Sequence, residues 1–582
     1  MASPTVALEA PATSRAIARG TVLMTILLSV VAFIVIAPLA MMLLSSVQLS
    51  PPGRTPVYGL DGWVRATTDP AIANAFWNSI TLSLMRELIA LVIGVGLAWL
   101  IARTDLPGKN VLEFVFWIAF FLPPLPVAIG WILLLDGKVG LLNQWIAMLP
   151  FMVDSDGVAR AAIFNIYSVG GIIWVHLTTS LGVKVLLLAP AFRNLDAALE
   201  EASRSCGAST IGTLIRIVVP VMAPAILVSS VLGMIRALEA FEIELLLGVP
   251  IGYYVFSTKI RDLVQFEPPQ YAPASALGVA FLAILLALVW LQRRYLAGKV
   301  YRTVGGRGFS TRDTQLGRWR WPVFSGVVFL ALLVTLVPVA VLVMGTFMRA
   351  FGYFNIPNPW TMQHWERVLR DPMLVRSFQN TLIVGFGSAA IGVIFYSVIA
   401  YVIVKTRFWG RALMDLLSWL PWAIPGVLMG LALLWTVFRT PFLLPLYGTV
   451  WLLIIALVIK SMPLGVQLTK SVLLQLGDEL EEASRIAGGN WVTTYRRVVL
   501  PLLAPTLVTV GVVGFMSAAR DISTIVLLGS SQSRTLALLS LDFAYGGQLE
   551  RGTVVSVLTV AMVVIAAFIA RLFGGKIGIT HN

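Results

Sequence analysis

The chain has 582 residues, 58% of them hydrophobic and only 12% charged, with a mean hydropathy of +0.88. Soluble domains carry about 25% charged residues, so the composition excludes an ordinary soluble enzyme and predicts an all-α, polytopic membrane protein. The net charge of +14 is then to be read by its distribution between loops rather than as a nucleic-acid surface. Three His and one Cys (Cys206) leave little for a His/Cys metal cluster or a disulfide framework.

Residues 1–20 read as an amino-terminal tail carrying Arg15 and Arg19. The first apolar segment, from about Thr21 to Ser45, is too long for a signal-peptide core and no small-residue cleavage site follows it, so it reads as a retained membrane helix. Apolar runs of roughly 20 residues predict twelve spans. Six fall in residues 21–292, near 21–45, 80–102, 111–135, 169–190, 215–236 and 273–291. Six more fall in residues 321–575, near 321–347, 381–404, 413–436, 446–464, 498–516 and 554–572. The fourth span carries His176 and Lys184 and the tenth carries Lys460, which weakens their apolar signal. With the amino terminus inside, Lys and Arg are more frequent in the cytoplasmic segments than in the external ones. The positive-inside rule favours that orientation, with both termini, including the tail 576–582, in the cytoplasm.

The two halves repeat. Asn78-Ser79-Ile80 aligns with Asn380-Thr381-Leu382 at an offset of 302, and Ala98 to Lys109 meets Ala400 to Arg411 at the same offset. Trp117 falls on Trp419 and Pro123 on Pro425. The offset drops to 281 further on, which assigns about 21 extra residues to the external segment between Asp136 and Tyr167, including an interfacial piece from Leu141 to Phe151. Six spans per half means that both halves enter the membrane in the same sense, a parallel repeat. Residues 293–320 between them are basic, and Gly305-Gly306-Arg307-Gly308 reads as a flexible cytoplasmic linker near anionic headgroups. It is not a phosphate loop, because no Lys-Ser/Thr follows it.

The strongest functional signal is a polar block written twice. Glu200-Glu201-Ala202-Ser203-Arg204-Ser205-Cys206-Gly207 recurs 281 residues later as Glu481-Glu482-Ala483-Ser484-Arg485-Ile486-Ala487-Gly488. Each block reads as a short amphipathic helix, a sharp turn at the glycine, and a second amphipathic piece (Thr210 to Ile217 in the first half) before Pro220 or Pro501 opens the next span. This spacing resembles the EAA loop of ABC importer permeases, and its double occurrence resembles the fused, two-in-one permeases of binding-protein-dependent importers, across essentially the whole chain. The resemblance implies two parallel six-helix repeats of the type I importer permease fold in a bacterial inner membrane. It implies a homodimeric ATPase, two copies, docked on Glu200, Glu201, Ala202, Gly207, Glu481, Glu482, Ala483 and Gly488, and a periplasmic solute-binding protein on the other face. ATP and Mg²⁺ would belong to that ATPase; this chain has no Gly-x-x-x-x-Gly-Lys-Ser/Thr, no defensible catalytic constellation and no expected cofactor of its own. Ser203 and Ser484 depart from the family pattern, in which a second Ala is commoner.

Charged residues near the membrane are the remaining candidates. Arg86-Glu87 opens the second predicted span and reads as a helix end at the outer interface, and Arg236 and Glu239, three apart, read as a pair. Glu239 and Glu242 beyond the fifth span, with Arg520 and Asp521 beyond the eleventh, read as an external gate or substrate path whose carboxylates would attract a hard cation. Arg520-Asp521-Ile522-Ser523-Thr524 and Ala237-Leu238-Glu239-Ala240-Phe241-Glu242 are similar to ferric-iron importer permeases. Permeases for thiamine, aminoethylphosphonate and polyamines are the alternatives within the family. An ion-coupled secondary transporter is the alternative of another class; it would place coupling carboxylates at mid-membrane, where these spans read as nearly free of acids. A non-transporting scaffold would not need twin loops.

Overall fold

The computed structural model describes residues 12–51, 54–149, 163–297 and 313–576. Among them lie ten continuous helices long and apolar enough to cross a membrane, and two helix pairs that reach that length only together, across a sharp bend. Besides the short pair Asp61–Thr68 and Gln363–Leu369, nine helices of the first half have counterparts in the second among the described residues. In chain order these are α1 (Ala12–Ser45), α2 (Pro70–Arg103), α3 (Lys109–Phe121), α4 (Pro124–Leu135), α5 (Val169–Arg193), α6 (Ala197–Ser205), α7 (Thr210–Glu239), α8 (Phe256–Gln265) and α9 (Tyr271–Ala297). The second set is α10 (Arg320–Gly345), α11 (Pro372–Lys405), α12 (Arg411–Ala423), α13 (Gly426–Arg439), α14 (Val450–Leu473), α15 (Glu479–Ile486), α16 (Trp491–Arg520), α17 (Leu536–Tyr545) and α18 (Leu549–Lys576).

The third and ninth predicted spans are therefore not straight. The α3–α4 pair bends by 100° and the α12–α13 pair by 114°. The aligned prolines are the cause: Pro disfavours helical geometry in the residue before it and removes a backbone donor. Leu122 and Pro123 are extended (ψ 131° and 134°), as are Ile424 and Pro425 (ψ 112° and 145°). Such a break is tolerated at membrane depth where protein encloses it, and here the second arms are enclosed: residues 125–133 of α4 and 426–437 of α13 are all buried.

The two halves exchange their first helices. α1 packs on α13 of the second half, and α10 packs on α4 of the first. Gly130 makes the second contact possible, since a Cβ there would fall on the carbonyl of Pro338. Within each half the central pair is α2 against α5, or α11 against α14.

The repeated sequence motifs become repeated bonds. Asp69 and Asp371 cap α2 and α11 by accepting from Ala71 N and Met373 N, each just ahead of a proline suited to the first helical turn. Ser79 Oγ accepts from Phe256 N at 2.7 Å and Thr381 Oγ1 from Leu536 N at 2.8 Å, so each tethers the start of α8 or α17 to the middle of its half. α2, α7, α11 and α16 begin earlier than predicted, because their polar first turns lower the hydropathy without breaking the helix. The interfacial piece of the first half is a helix over Leu141–Ala147. Residues 150–162, and Gly305-Gly306-Arg307-Gly308 of the linker, lie outside the described residues.

Candidate functional site

The two polar loops fold alike. α6 ends in a turn at Gly207 (φ +85°) and α15 in one at Gly488 (φ +82°). Ala208 N donates to Ser203 O and Gly489 N to Ser484 O, the 6→1 bonds of a Schellman ending. A Cβ at either glycine would meet nothing within 4 Å, so the left-handed backbone, not crowding, is what calls for glycine. The serines that depart from the family pattern are used: Ser203 Oγ bonds Thr213 Oγ1 at 2.9 Å, and Ser484 Oγ bonds Thr494 Oγ1 at 2.8 Å. Each bond clasps the short helix to the first turn of the following span. The second amphipathic piece is thus no separate helix; it runs through one wide π-turn into α7 or α16.

The two glutamates of each loop have different surroundings. Glu201 is half-buried and Glu482 exposed, as are Ala202 and Ala483. Glu200 is buried, bonded to Arg103 Nε at 3.0 Å and Thr314 Oγ1 at 3.0 Å. Glu481 is buried too, and accepts from the Tyr401 hydroxyl at 3.0 Å. Arg103 and Lys405, equivalent residues at the ends of α2 and α11, also bond the carbonyls of Leu195 and Leu476. Each loop is therefore braced on the long helix of its own half. Lys405 also pairs with exposed Asp478, and holds that carboxyl below the usual aspartate range through a hydrogen bond and charge attraction. Around the loops Leu199, Ile211, Ile215, Leu480, Ile486 and Val492 present exposed apolar side chains, Ile486 at 89%.

A second polar centre lies inside the bundle. A cavity of about 190 Å³ is bounded by α2, α5, α7, the α3–α4 bend, α14 and the end of α16. Arg86 and Glu87 line it from the middle of α2, roughly 25 Å along the helix from Arg103 at 1.5 Å per residue. This corrects the helix-end reading: neighbours in sequence point apart on a helix, but here both directions meet partners. Arg86 bonds Glu244 at 3.0 Å and the backbone carbonyl of Ala237; Glu87 bonds Lys184, whose ammonium also donates to Ser229 O at 2.9 Å. His176 Nε2 meets Glu244 at 2.7 Å. Burying charges at this depth is costly unless they are paired and hydrogen-bonded, which accounts for the network. Of the acids around this cavity, Glu87 alone lies within a predicted span; Glu239, Glu242, Glu244 and Asp521 lie beyond the fifth and eleventh.

The four candidate gate residues also line this cavity. Glu239 and Arg236 do not form the expected pair. Instead Lys460 of the second half reaches Glu239 at 2.8 Å and Asp521 at 2.7 Å, tying the ends of α7 and α16 together. Arg520 donates to the carbonyl of Phe120 at 2.7 Å and lies over the Phe120 ring, bracing the α3–α4 bend. Glu242 lines the same space and, among the described residues, is in no ion pair. Glu239 and Asp521, two of the carboxylates expected to attract a hard cation, are thus engaged by one ammonium. Among the described residues, no three Asp, Glu, His or Cys side chains gather closely enough to hold a metal ion. The sequence reading missed His176, Lys184 and Lys460 as cavity residues, although their cost to the apolar signal of two spans was the available clue.

The model of the family described as "Binding-protein-dependent transport system inner membrane component" matches residues 90–299 and 389–578, more than half of the chain. The chain belongs to this family. It is a multi-pass inner-membrane permease subunit of an ABC importer, built as two repeats, in a family whose members are non-catalytic membrane subunits working with an ATPase and a periplasmic binding protein. The permease is 26% identical to the "Probable ABC transporter permease protein y4fN" of Sinorhizobium fredii, over 82% of this chain and 83% of that protein. It is 25% identical to the "Putative ferric transport system permease protein FbpB 1" of Haemophilus influenzae, over 81% of this chain and 72% of that one. A crystal structure of a bacterial ABC transporter involved in import of the acidic polysaccharide alginate aligns with a TM-score of 0.41 and 20% identity, covering 50% of this permease and 100% of that chain.

Proposed function

We propose that this permease forms the translocation path for ferric iron, driven by two copies of an ATPase subunit docked on the α6 and α15 loops. The observation that carries the reading is the duplicated loop geometry, with one glycine turn, one Ser–Thr clasp and one buried glutamate brace in each half. A brace that links the loop to α2 or α11 can pass a displacement of the loop into the bundle. The exposed apolar side chains around each loop are the kind of surface that a partner covers. On this reading Glu201, Glu482, Ala202 and Ala483 face the ATPase, while Glu200 and Glu481 transmit within the permease. ATP and Mg²⁺ stay on the ATPase, both termini share its side of the membrane, and the binding protein meets the opposite face. Lys460 with Glu239 and Asp521, and Arg520 on the α3–α4 bend, hold the path closed between loading events. The iron assignment is supported by the naming of the Haemophilus relative as a ferric transport permease.

Co-purification tests the docking: the permease should bring down its ATPase at two copies per chain. Replacing Gly207 and Gly488 together with valine should uncouple ATP hydrolysis from uptake in proteoliposomes. Unchanged coupling would remove the docking role. Uptake of radioactive iron from a loaded binding protein tests the substrate, and no iron uptake by an active complex would remove that assignment.

A further inference from the structure

The charges around the central cavity do not all pair: Glu242 and Arg236 both line it, and among the described residues neither is in an ion pair. Glu87 is held by Lys184, Glu244 by Arg86 and His176, and Glu239 and Asp521 by Lys460. Arg236, on the last turn of α7, is left over: its side chain is exposed into the cavity and, among the described residues, makes no hydrogen bond or ion pair. Its helix neighbour Glu239 is held by Lys460 and attracts Arg236 only from beyond ion-pair distance, while the nearby Arg520 guanidinium repels it. Arg520 itself is anchored to backbone carbonyls and, among the described residues, holds no carboxylate within ion-pair distance. Two guanidinium groups thus face one cavity between the halves, with the Glu242 carboxyl also on its wall. An ionised group at membrane depth with no protein partner is costly, and such residues mark transport paths.

Guanidinium is the side chain best matched to carboxylate and phosphate oxygens, which it binds through paired N–H donors. The cavity also has room, at more than ten times the roughly 10–15 Å³ that one water requires. The Ser180 and Ser517 hydroxyls add neutral donors to its wall. We infer that Arg236, with Arg520 beside it, forms an oxyanion site in the central cavity, where a compact solute pauses during transport. The inference rests on the importer reading above and deepens it: iron would cross as a complex with an oxyanion ligand, held by that ligand's oxygens rather than by protein carboxylates on the metal. The same chemistry would also receive a free oxyanion solute.

The test uses the permease–ATPase complex in nanodiscs at constant ionic strength, with sodium phosphate, sodium citrate and ferric citrate as probes and the rise of Tm as readout. Wild type should be stabilised by at least one of them. Arg236→Gln should raise the half-saturating concentration at least tenfold, while Arg236→Lys keeps it within about threefold. Without ligand, Arg236→Gln should melt close to wild type, since it loses a repulsion from Arg520 and an attraction to Glu239 that oppose one another. Citrate effective only with iron would identify the ferric complex as the source; citrate or phosphate effective alone would identify a free oxyanion. No response of wild type to any probe, or an unchanged half-saturation in Arg236→Gln, overturns the site. A ligand-free Arg236→Gln that melts well below wild type also overturns it, by revealing a structural partner. Iron uptake separates the two readings. A complex that takes up iron with an unchanged Arg236→Gln half-saturation sinks the site and keeps iron. One that never takes up iron but shows Arg236-dependent affinity sinks iron and keeps the site.

Discussion

Replacing Lys460 with methionine removes the one ammonium that Glu239 and Asp521 share, at 2.8 and 2.7 Å, and leaves two carboxylates facing each other at the seam between the halves. Removing one partner of a buried ion pair costs roughly 3–5 kcal/mol. Two features place this site at the lower end. The pair borders a cavity that water can enter, and Asp521 keeps bonds from Thr524 N (2.9 Å) and Thr524 Oγ1 (3.2 Å). A loss of about 3 kcal/mol is a shift of roughly 150-fold in the equilibrium it acts on. Thermal unfolding in one detergent, followed by tryptophan fluorescence, can read this in a double-mutant cycle of Lys460→Met, Asp521→Asn and the pair. If the cost is uncompensated charge, neutralising Asp521 should recover part of it, so that the double variant is more stable than Lys460→Met alone. In the ATPase complex, Lys460→Met should raise hydrolysis in the absence of binding protein, because the closed seam is weakened. Strictly additive losses in the cycle, or a Lys460→Met variant as stable as wild type, would refute the reasoning.

The brace on the first loop should matter more than that on the second. Arg103→Leu removes the nearer of Glu200's two cations, leaving Arg204 at 4.0 Å, and should cost about 3 kcal/mol, the low end for a broken buried pair, whereas Tyr401→Phe removes one hydrogen bond to a charged Glu481 and should cost about 1.5–3 kcal/mol; Tm values in one detergent compare them, and the reverse order would count against the bracing role. Gly207→Val and Gly488→Val each place a β-branched residue at positive φ and should each cost about 1–2 kcal/mol, with room for the side chain, so protein yield should survive while coupling falls. Asp478 has a depressed folded pKa, so its stabilisation is present at neutral pH and lost as pH falls through that lowered value. Lys405→Met should therefore flatten part of the stability loss between pH 7 and pH 3; an unchanged acid limb would exclude the pair as a contributor. Gly130→Leu should separate α4 from α10 and lower Tm, because a side chain there meets the Pro338 carbonyl rather than a movable group.

Much of the site was legible where the relevant interactions are local. Gly207 and Gly488 announce a left-handed turn because only a few neighbouring residues decide it. The paired offsets of 302 and 281 announced equivalent bonds, and Arg103 with Lys405, or Ser79 with Thr381, deliver them. The bends were harder to read. Pro123 and Pro425 were visible as aligned residues, but proline is also tolerated inside membrane helices where neighbours re-satisfy the backbone. Pro190 and Pro463 lie within continuous helices here. What distinguishes a kink from a near-right-angle break is the packing that receives the second arm.

The sequence by itself determined that this chain lives in a membrane, that it is two copies of one plan, and that each copy carries one glycine-turned polar loop. Hydropathy, repeat spacing and backbone preference are properties of short windows, and they survive without knowing what lies opposite. Only the tertiary structure decided that the first helices are exchanged between halves and that Arg86 and Glu87 lie buried in the middle of α2. The same holds for Lys460 joining Glu239 to Asp521 while Arg236 stays without a partner. Those facts depend on which helix faces which at a given depth, between residues 61 to 221 positions apart in the chain for the Lys460 ties. A hydropathy window sees each such charge only as a local cost; the fold decides which of those costs are cancelled and which are left facing the cavity.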